Sequence, residues 1–162
     1  MNICTRIATL EDVEIISSMY QDFFAFHAGL QPTYYRKAKA GEYPANTIKS
    51  KTADIIIAQE CENIAGFLHV LEDKSPPYDS VVPHNFAVIM DLFVLPLYRN
   101  KGVGATLINA AKKWIRKRNL NHLEINVLAE NENAIRLYAN EGFQPVSHTL
   151  KCPIIKETEA QP

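Results

Sequence analysis

The chain is short of everything that would hold it together from outside an ordinary core. Cysteine occurs three times, at Cys4, Cys61 and Cys152, scattered and odd in number, with no C-x-x-C pair and no metal-ligand spacing. A disulfide framework and a zinc ribbon are therefore excluded, no metal is expected, and reduced thiols in the cytoplasm are the predicted state. No apolar run approaches the ~18 residues that span a bilayer. The opening Met-Asn-Ile-Cys-Thr-Arg carries no apolar signal segment, which again predicts a cytoplasmic protein without membrane attachment. Excess charge of one sign is missing too. Seventeen Lys and Arg face 18 Asp and Glu, a net −1, so no global field draws in nucleic acid or acidic lipid. Nor is there an internal repeat, a low-complexity block or a linker. At 162 residues, 47% apolar and 22% charged, the chain reads as one domain over 1–162 with a genuine core. Residues 156–162 are expected to be a loose polar tail.

What is present alternates between strand and helix patterns. Residues 3–8 read as a strand, and Thr9 with Asp12 three positions on starts a helix whose stripe is Val13, Ile16, Met19, Tyr20, Phe23 and Phe24. A second helical piece is expected over 33–40, after Pro32. Residues 53–59 and 64–71 form a hairpin, and 73–85, with Pro76, Pro77 and Pro83, is a long loop. Its length and prolines predict a lid or rim beside a binding site. A strand over 86–95, a helix from Gly102 to about Arg118, a strand over 123–128, a helix over 131–141 closed by Gly142, and a last strand over 146–152 complete the order. The fold class is α+β, a mixed α/β sandwich.

The organising stretch is Val88 to Ala105. One charge, Asp91, interrupts the apolar run 86–95, as in a strand covered on both faces. Pro96 ends regular pairing. Gly102 and Gly104 then precede a helical stripe of Val103, Leu107, Ala111 and Trp114. A glycine turn entering a helix offers unpaired N–H groups and a positive dipole end, which suit a phosphate. A dinucleotide fingerprint is excluded by Leu107 where its third small residue belongs, and no P-loop run occurs.

What remains, Val94-x-Pro96-x-x-Arg99-x-x-Gly102-x-Gly104, resembles the acetyl-CoA motif of the GNAT superfamily of N-acetyltransferases. The segment Asn131-x-x-Ala134-x-x-x-Tyr138-x-x-x-Gly142-Phe143 is similar to that family's second motif at every marked position. Residues 131, 134 and 138 share one helix face. On its own that face also fits a capping Asn, a packing Ala and a core Tyr. The resemblance covers nearly the whole chain. It implies a central mixed, mostly antiparallel sheet of six to seven strands flanked by about four helices.

For function, the resemblance implies acetyl transfer from acetyl-CoA to a primary amine, of a small molecule or a protein N-terminus, by direct attack on the thioester. The backbone of Leu92, Phe93 and Val94 would pair with the pantetheine arm. The amides of Asn100, Lys101, Gly102, Val103, Gly104 and Ala105 would hold the pyrophosphate, with Arg99 beside it. Asn131, Asn133 and Ala134 would flank the arm, and Tyr138 would stand by the sulfur as proton donor. Acceptor contacts are expected from His27, Tyr34 and Tyr35 in the first helical pair, and from His84. A homodimer is among the assemblies the resemblance allows.

The sequence departs from the family where relatives carry a carboxylate base, at Met90 and at Asn126. Asp91 and Glu124 remain as candidate bases, with His69 or His84 acting through water. The missing carboxylates leave a second reading, a catalytically silent acyl-CoA-binding module. The basic run Lys112, Lys113, Arg116, Lys117 and Arg118 reads as a solvated helix end, because only Trp114 interleaves with it and belongs to the apolar stripe.

Overall fold

Isoleucine and alanine alternate faces through the middle of the chain, and that alternation builds two cores on one sheet. The structure, a computed structural model, describes residues 2–153. The strands are β1 (Ile3–Ile7), β2 (Ala53–Glu60), β3 (Asn63–Lys74), β4 (Asn85–Val94) and β5 (Leu123–Ile125), and the helices α1 (Val13–Leu30), α2 (Tyr43–Ile48), α3 (Val103–Lys117) and α4 (Glu132–Asn140). The sheet runs β1-β2-β3-β4-β5, antiparallel through β4, with β5 parallel to β4.

On one face, Ile56, Ala58, Leu68, Val70 and Ile89 pack against Leu107, Ile108, Ala111 and Trp114 of α3, with Tyr138 of α4. On the other, Ile55, Ile57, Phe67 and Phe93 pack against Ile16, Met19 and Tyr20 of α1. Residues 55–58 and 67–68 thus send successive side chains to opposite cores, which is why the run carries no polar alternation. At the start of α1, Asp12 accepts from the Thr9 N–H at 2.7 Å and from two Arg6 nitrogens at 2.8 Å. The Arg6 hydrogen bonds hold the Asp12 carboxyl down at about 2. Trp114 Nε1 and Arg118 both donate to Asp54, tying the end of α3 to β2 and explaining one member of the basic run, Arg118, and its aromatic structurally.

Three expectations are corrected. The sheet has five strands among the described residues, not six to seven. Residues 146–152 alternate but form no ladder, and Val146 and Leu150 are about nine-tenths exposed (89% and 91%). The reason lies in β5, which stops at Ile125 instead of reaching 128 and leaves no long edge to pair with. Residues 33–40 form no helix either. They hold no apolar stripe to bury, and the helix falls later at Tyr43–Ile48, where Pro44 sets φ in the first turn and is itself buried. The tail 156–162 lies outside the described residues. No helix among the described residues is long and apolar enough to cross a membrane.

Candidate active site

Strand β4 carries the site. Its ladder with β5 pairs Ala87, Val88 and Ile89 with Leu123, Glu124 and Ile125, and then ends. From Met90 to Val94, β4 is bonded to β3 alone, so its other edge stands open among the described residues. Beyond Val94 the chain makes a single 3-10 turn, Pro96–Tyr98, and enters α3 through Asn100 (φ 57°) and Gly102 (φ 80°), both left-handed. Backbone pairing resumes only where the Thr106 N–H donates to Gly102 O at 3.0 Å. The N–H groups of residues 100–105 therefore have no partner among the described residues. Successive unpaired N–H groups at a helix start form an anion nest, the geometry that a pyrophosphate needs.

The two glycines do different work. Gly102 supplies the positive φ and has open space around it. A Cβ on Gly104 would meet Leu137 Cδ2 at 2.8 Å, so Gly104 lets α4 approach α3. Arg99 turns away from the nest. Its Nε donates to Val94 O at 3.0 Å, and its guanidinium lies 5.6 Å from the Phe93 ring centre and 5.7 Å from that of Phe26. On the far side of the open edge, Asn131 caps α4 by accepting from the Ala134 N–H at 3.3 Å, and Asn133 accepts from Arg136. Tyr138 is buried against Phe143 and the α3 core. Burial pushes its phenol up to about 12, so it holds its proton at neutral pH. Its hydroxyl has no hydrogen-bond partner among the described residues.

Asp91 owes its position to a β-bulge. His69 pairs with Asp91 and Val70 with Ile89, so Met90 is the extra residue of β4. Without it, Ile89, Asp91 and Phe93 would share a face. With it, Ile89 stays in the α3 core while Asp91 and Phe93 turn to the α1 side. There Asp91 Oδ2 accepts from Tyr20 at 2.9 Å and from Tyr43 at 3.3 Å, with His69 Nδ1 at 3.5 Å. Oδ1 has no partner among the described residues and is not a buried orphan, so one oxygen is fixed and the other is presented. Burial above all, together with the Asp91 charge, pushes both phenols well up, which makes them permanent donors.

Glu124 lies outside this cluster, half-exposed and paired with His122 at 2.8 Å. His84 lies tilted against Phe86 and His122 where β4 begins, the opposite end of that strand from the nest. The loop after Lys74 sits at that same end, closed at its neck by Ser75 and His84, so it does not rim the Asp91 cluster. His27 packs edge-on against Phe23 at 4.2 Å and near Tyr35 at 5.7 Å. Burial lowers its pKa while the Asp91 charge acts the other way. Tyr34 lies under Lys151. Tyr20 and Tyr43 were not expected in the site. Tyr20 reads as one more stripe residue, and Tyr43 as part of a turn.

Residues 16–143 match the Acetyltransferase (GNAT) family. The uncharacterized N-acetyltransferase YhfO of Bacillus subtilis is 27% identical over 144 residues, covering 89% of this chain and 90% of that protein. An uncharacterized N-acetyltransferase of Methanocaldococcus jannaschii is 26% identical over 139 residues, 86% of this chain but only 59% of that longer protein. Among solved structures, a point mutant of the BH1408 protein of Bacillus halodurans superposes with a TM-score of 0.86 at 18% identity, covering 94% of this chain and 99% of that one. AAC(6')-Iy, in complex with a bisubstrate analog of CoA and acetylneamine, does so at 0.72 and 15% identity, over 96% of this chain and 99% of that one. With the family matched across most of its length, the chain belongs to the GNAT acetyltransferase family.

Proposed function

We propose that this protein transfers the acetyl group of acetyl-CoA to a primary amine, with Asp91 as general base and Tyr138 as general acid. The observation that carries the reading is the Met90 bulge, which brings a carboxylate to the α1 face on the same strand whose open edge leads into the anion nest. The nest fits a pyrophosphate by its unpaired N–H groups, and the open edge of Leu92, Phe93 and Val94 fits an amide-bearing arm. Acetyl-CoA, when bound, supplies the activated acyl group. Arg99 has to leave the Val94 carbonyl for that oxygen to accept from the arm.

The chain's own residues divide the proton work. Asp91 Oδ1 takes a proton from the acceptor ammonium, which frees the nitrogen lone pair for attack. Tyr138 gives its proton to the departing sulfur, a poor leaving group as a thiolate at neutral pH, and is restored by the second proton that the attacking nitrogen sheds on becoming an amide. The fixed donors Tyr20 and Tyr43 keep Oδ2 from competing for the amine. The test is release of free thiol from acetyl-CoA over a panel of polyamines, aminoglycosides, amino acids and peptide N-termini. Saturable thiol release that is lost in Asp91→Asn supports the reading. Tight CoA binding with no release from any amine would favour the silent binding module.

A further inference from the structure

Arg99 is held without a counter-ion. Its Nε donates to Val94 O, while its two terminal nitrogens have no hydrogen-bond partner among the described residues. No carboxylate pairs with it among those residues either. Two rings flank the guanidinium instead, Phe93 on β4 and Phe26 on α1, with centres 5.6 and 5.7 Å away. Both lie within cation–π range. The rings make a slot suited to a flat, weakly hydrated cation and poorly suited to a compact ammonium, which water holds more strongly. The slot lies in line with Asp91. Asp91 and Phe93 are two residues apart and both turn to the α1 side, about 7 Å apart along the strand. The wall between them is apolar: Phe23 packs edge-on against Tyr20 at 6.0 Å and against Phe93 at 6.2 Å. His27 packs between Phe23 and Phe26, and burial lowers its pKa, so at neutral pH it adds no like charge beside the slot.

We propose that the acceptor is an alkylamine whose far end carries a guanidinium, and that this group takes the slot between Phe26 and Phe93. The inference deepens the acetyltransferase reading and rests on it for the fate of the amine. Arg99 has to leave the Val94 carbonyl when the pantetheine arm binds, and its departure empties the slot. The chain's own guanidinium thus fills the slot before the arm arrives, and the acceptor's fills it afterwards. A four-carbon spacer sets amine and guanidinium roughly 7 Å apart when extended, which matches the step from Asp91 to Phe93. With the amine at Asp91 Oδ1, the spacer runs along Phe23. Polyamines and aminoglycosides end in compact ammonium groups, which need oxygens that the slot does not offer.

Two measurements test this, one with turnover and one without. Agmatine, an amine joined to a guanidinium through four carbons, is the probe, with hexylamine and cadaverine as its neutral and compact-cation matches. With acetyl-CoA, kcat/KM for agmatine should exceed that for either match on the order of tenfold. Phe26→Leu keeps the bulk of a half-exposed side chain without its ring face, and should bring agmatine down to within about twofold of hexylamine. Equal kcat/KM for the three native substrates, or a preference that survives Phe26→Leu, would overturn the slot while leaving the acetyltransferase intact. Without acetyl-CoA, calorimetry should show Arg99→Ala binding agmatine on the order of tenfold tighter than the native protein, because the slot stands empty. Adding Phe26→Leu to Arg99→Ala should remove that gain, which separates the ring from the mere loss of a like charge. No gain in Arg99→Ala, or a gain that Phe26→Leu leaves in place, overturns the slot whatever the turnover shows. Thiol release from no amine at all would instead sink the acetyltransferase reading, with the calorimetry still deciding the slot.

Discussion

The two ends of the site are made of different material. The nest at residues 100–105 is built from backbone, within one short stretch of chain, and its side chains can vary so long as φ is positive where the turn needs it. The Asp91 cluster is built from side chains, with Tyr20, Tyr43, His69 and Asp91 contributed by α1, α2, β3 and β4. Local material survives the loss of any one side chain, whereas gathered material depends on the packing that gathers it. The comparison teaches where substitutions should hurt binding and where they should hurt chemistry.

The largest expected effect is on the gathered end. Asp91→Asn should lower turnover on the order of a hundredfold or more with acetyl-CoA affinity little changed, measured by thiol release and calorimetry. Equal losses in both would mean that the two ends are not separable. Tyr138→Phe sharpens the contrast from the α4 side. Its hydroxyl has no hydrogen-bond partner among the described residues, so removing it should leave the melting temperature in place. If that proton serves the sulfur, turnover should still fall about a hundredfold.

A smaller effect concerns the helix that brings Tyr20 to Asp91. α1 starts at the Arg6–Asp12 pair, and the depressed Asp12 pKa of about 2 means that the folded state favours the carboxylate. That contribution, about 2 kcal/mol, is present above pH 4 and is lost as pH falls from about 4 toward 2. Asp12→Asn should flatten this part of the stability-versus-pH curve, read by chemical denaturation at several pH values.

The smallest effect separates the two glycines. Gly104→Val should cost roughly 1–2 kcal/mol by pushing on Leu137, and Leu137→Ala in the same chain should recover part of it. Gly102→Val meets no neighbour and should cost a similar ~1–2 kcal/mol through its left-handed φ alone, with no rescue from Leu137→Ala. Matching rescue at both positions would erase the distinction.

By itself the sequence determined the local half of this protein. The strand before Pro96, the glycine turn at 102, α3, Asn131 as a cap and Gly142 past the end of α4 all follow from spacing and residue type, because each is settled within a few residues. It also named Asp91, since one charge in an apolar strand is visible without a fold. Only tertiary structure decided which way Asp91 faces, because one extra residue, Met90, reverses the alternation that a sequence reader relies on. Tertiary structure also decided that Tyr20 and Tyr43 meet it, across sequence separations of 71 and 48 residues. It withheld the strand expected over 146–152 as well: alternation is a local property, but a strand needs an edge, and β5 stops at Ile125.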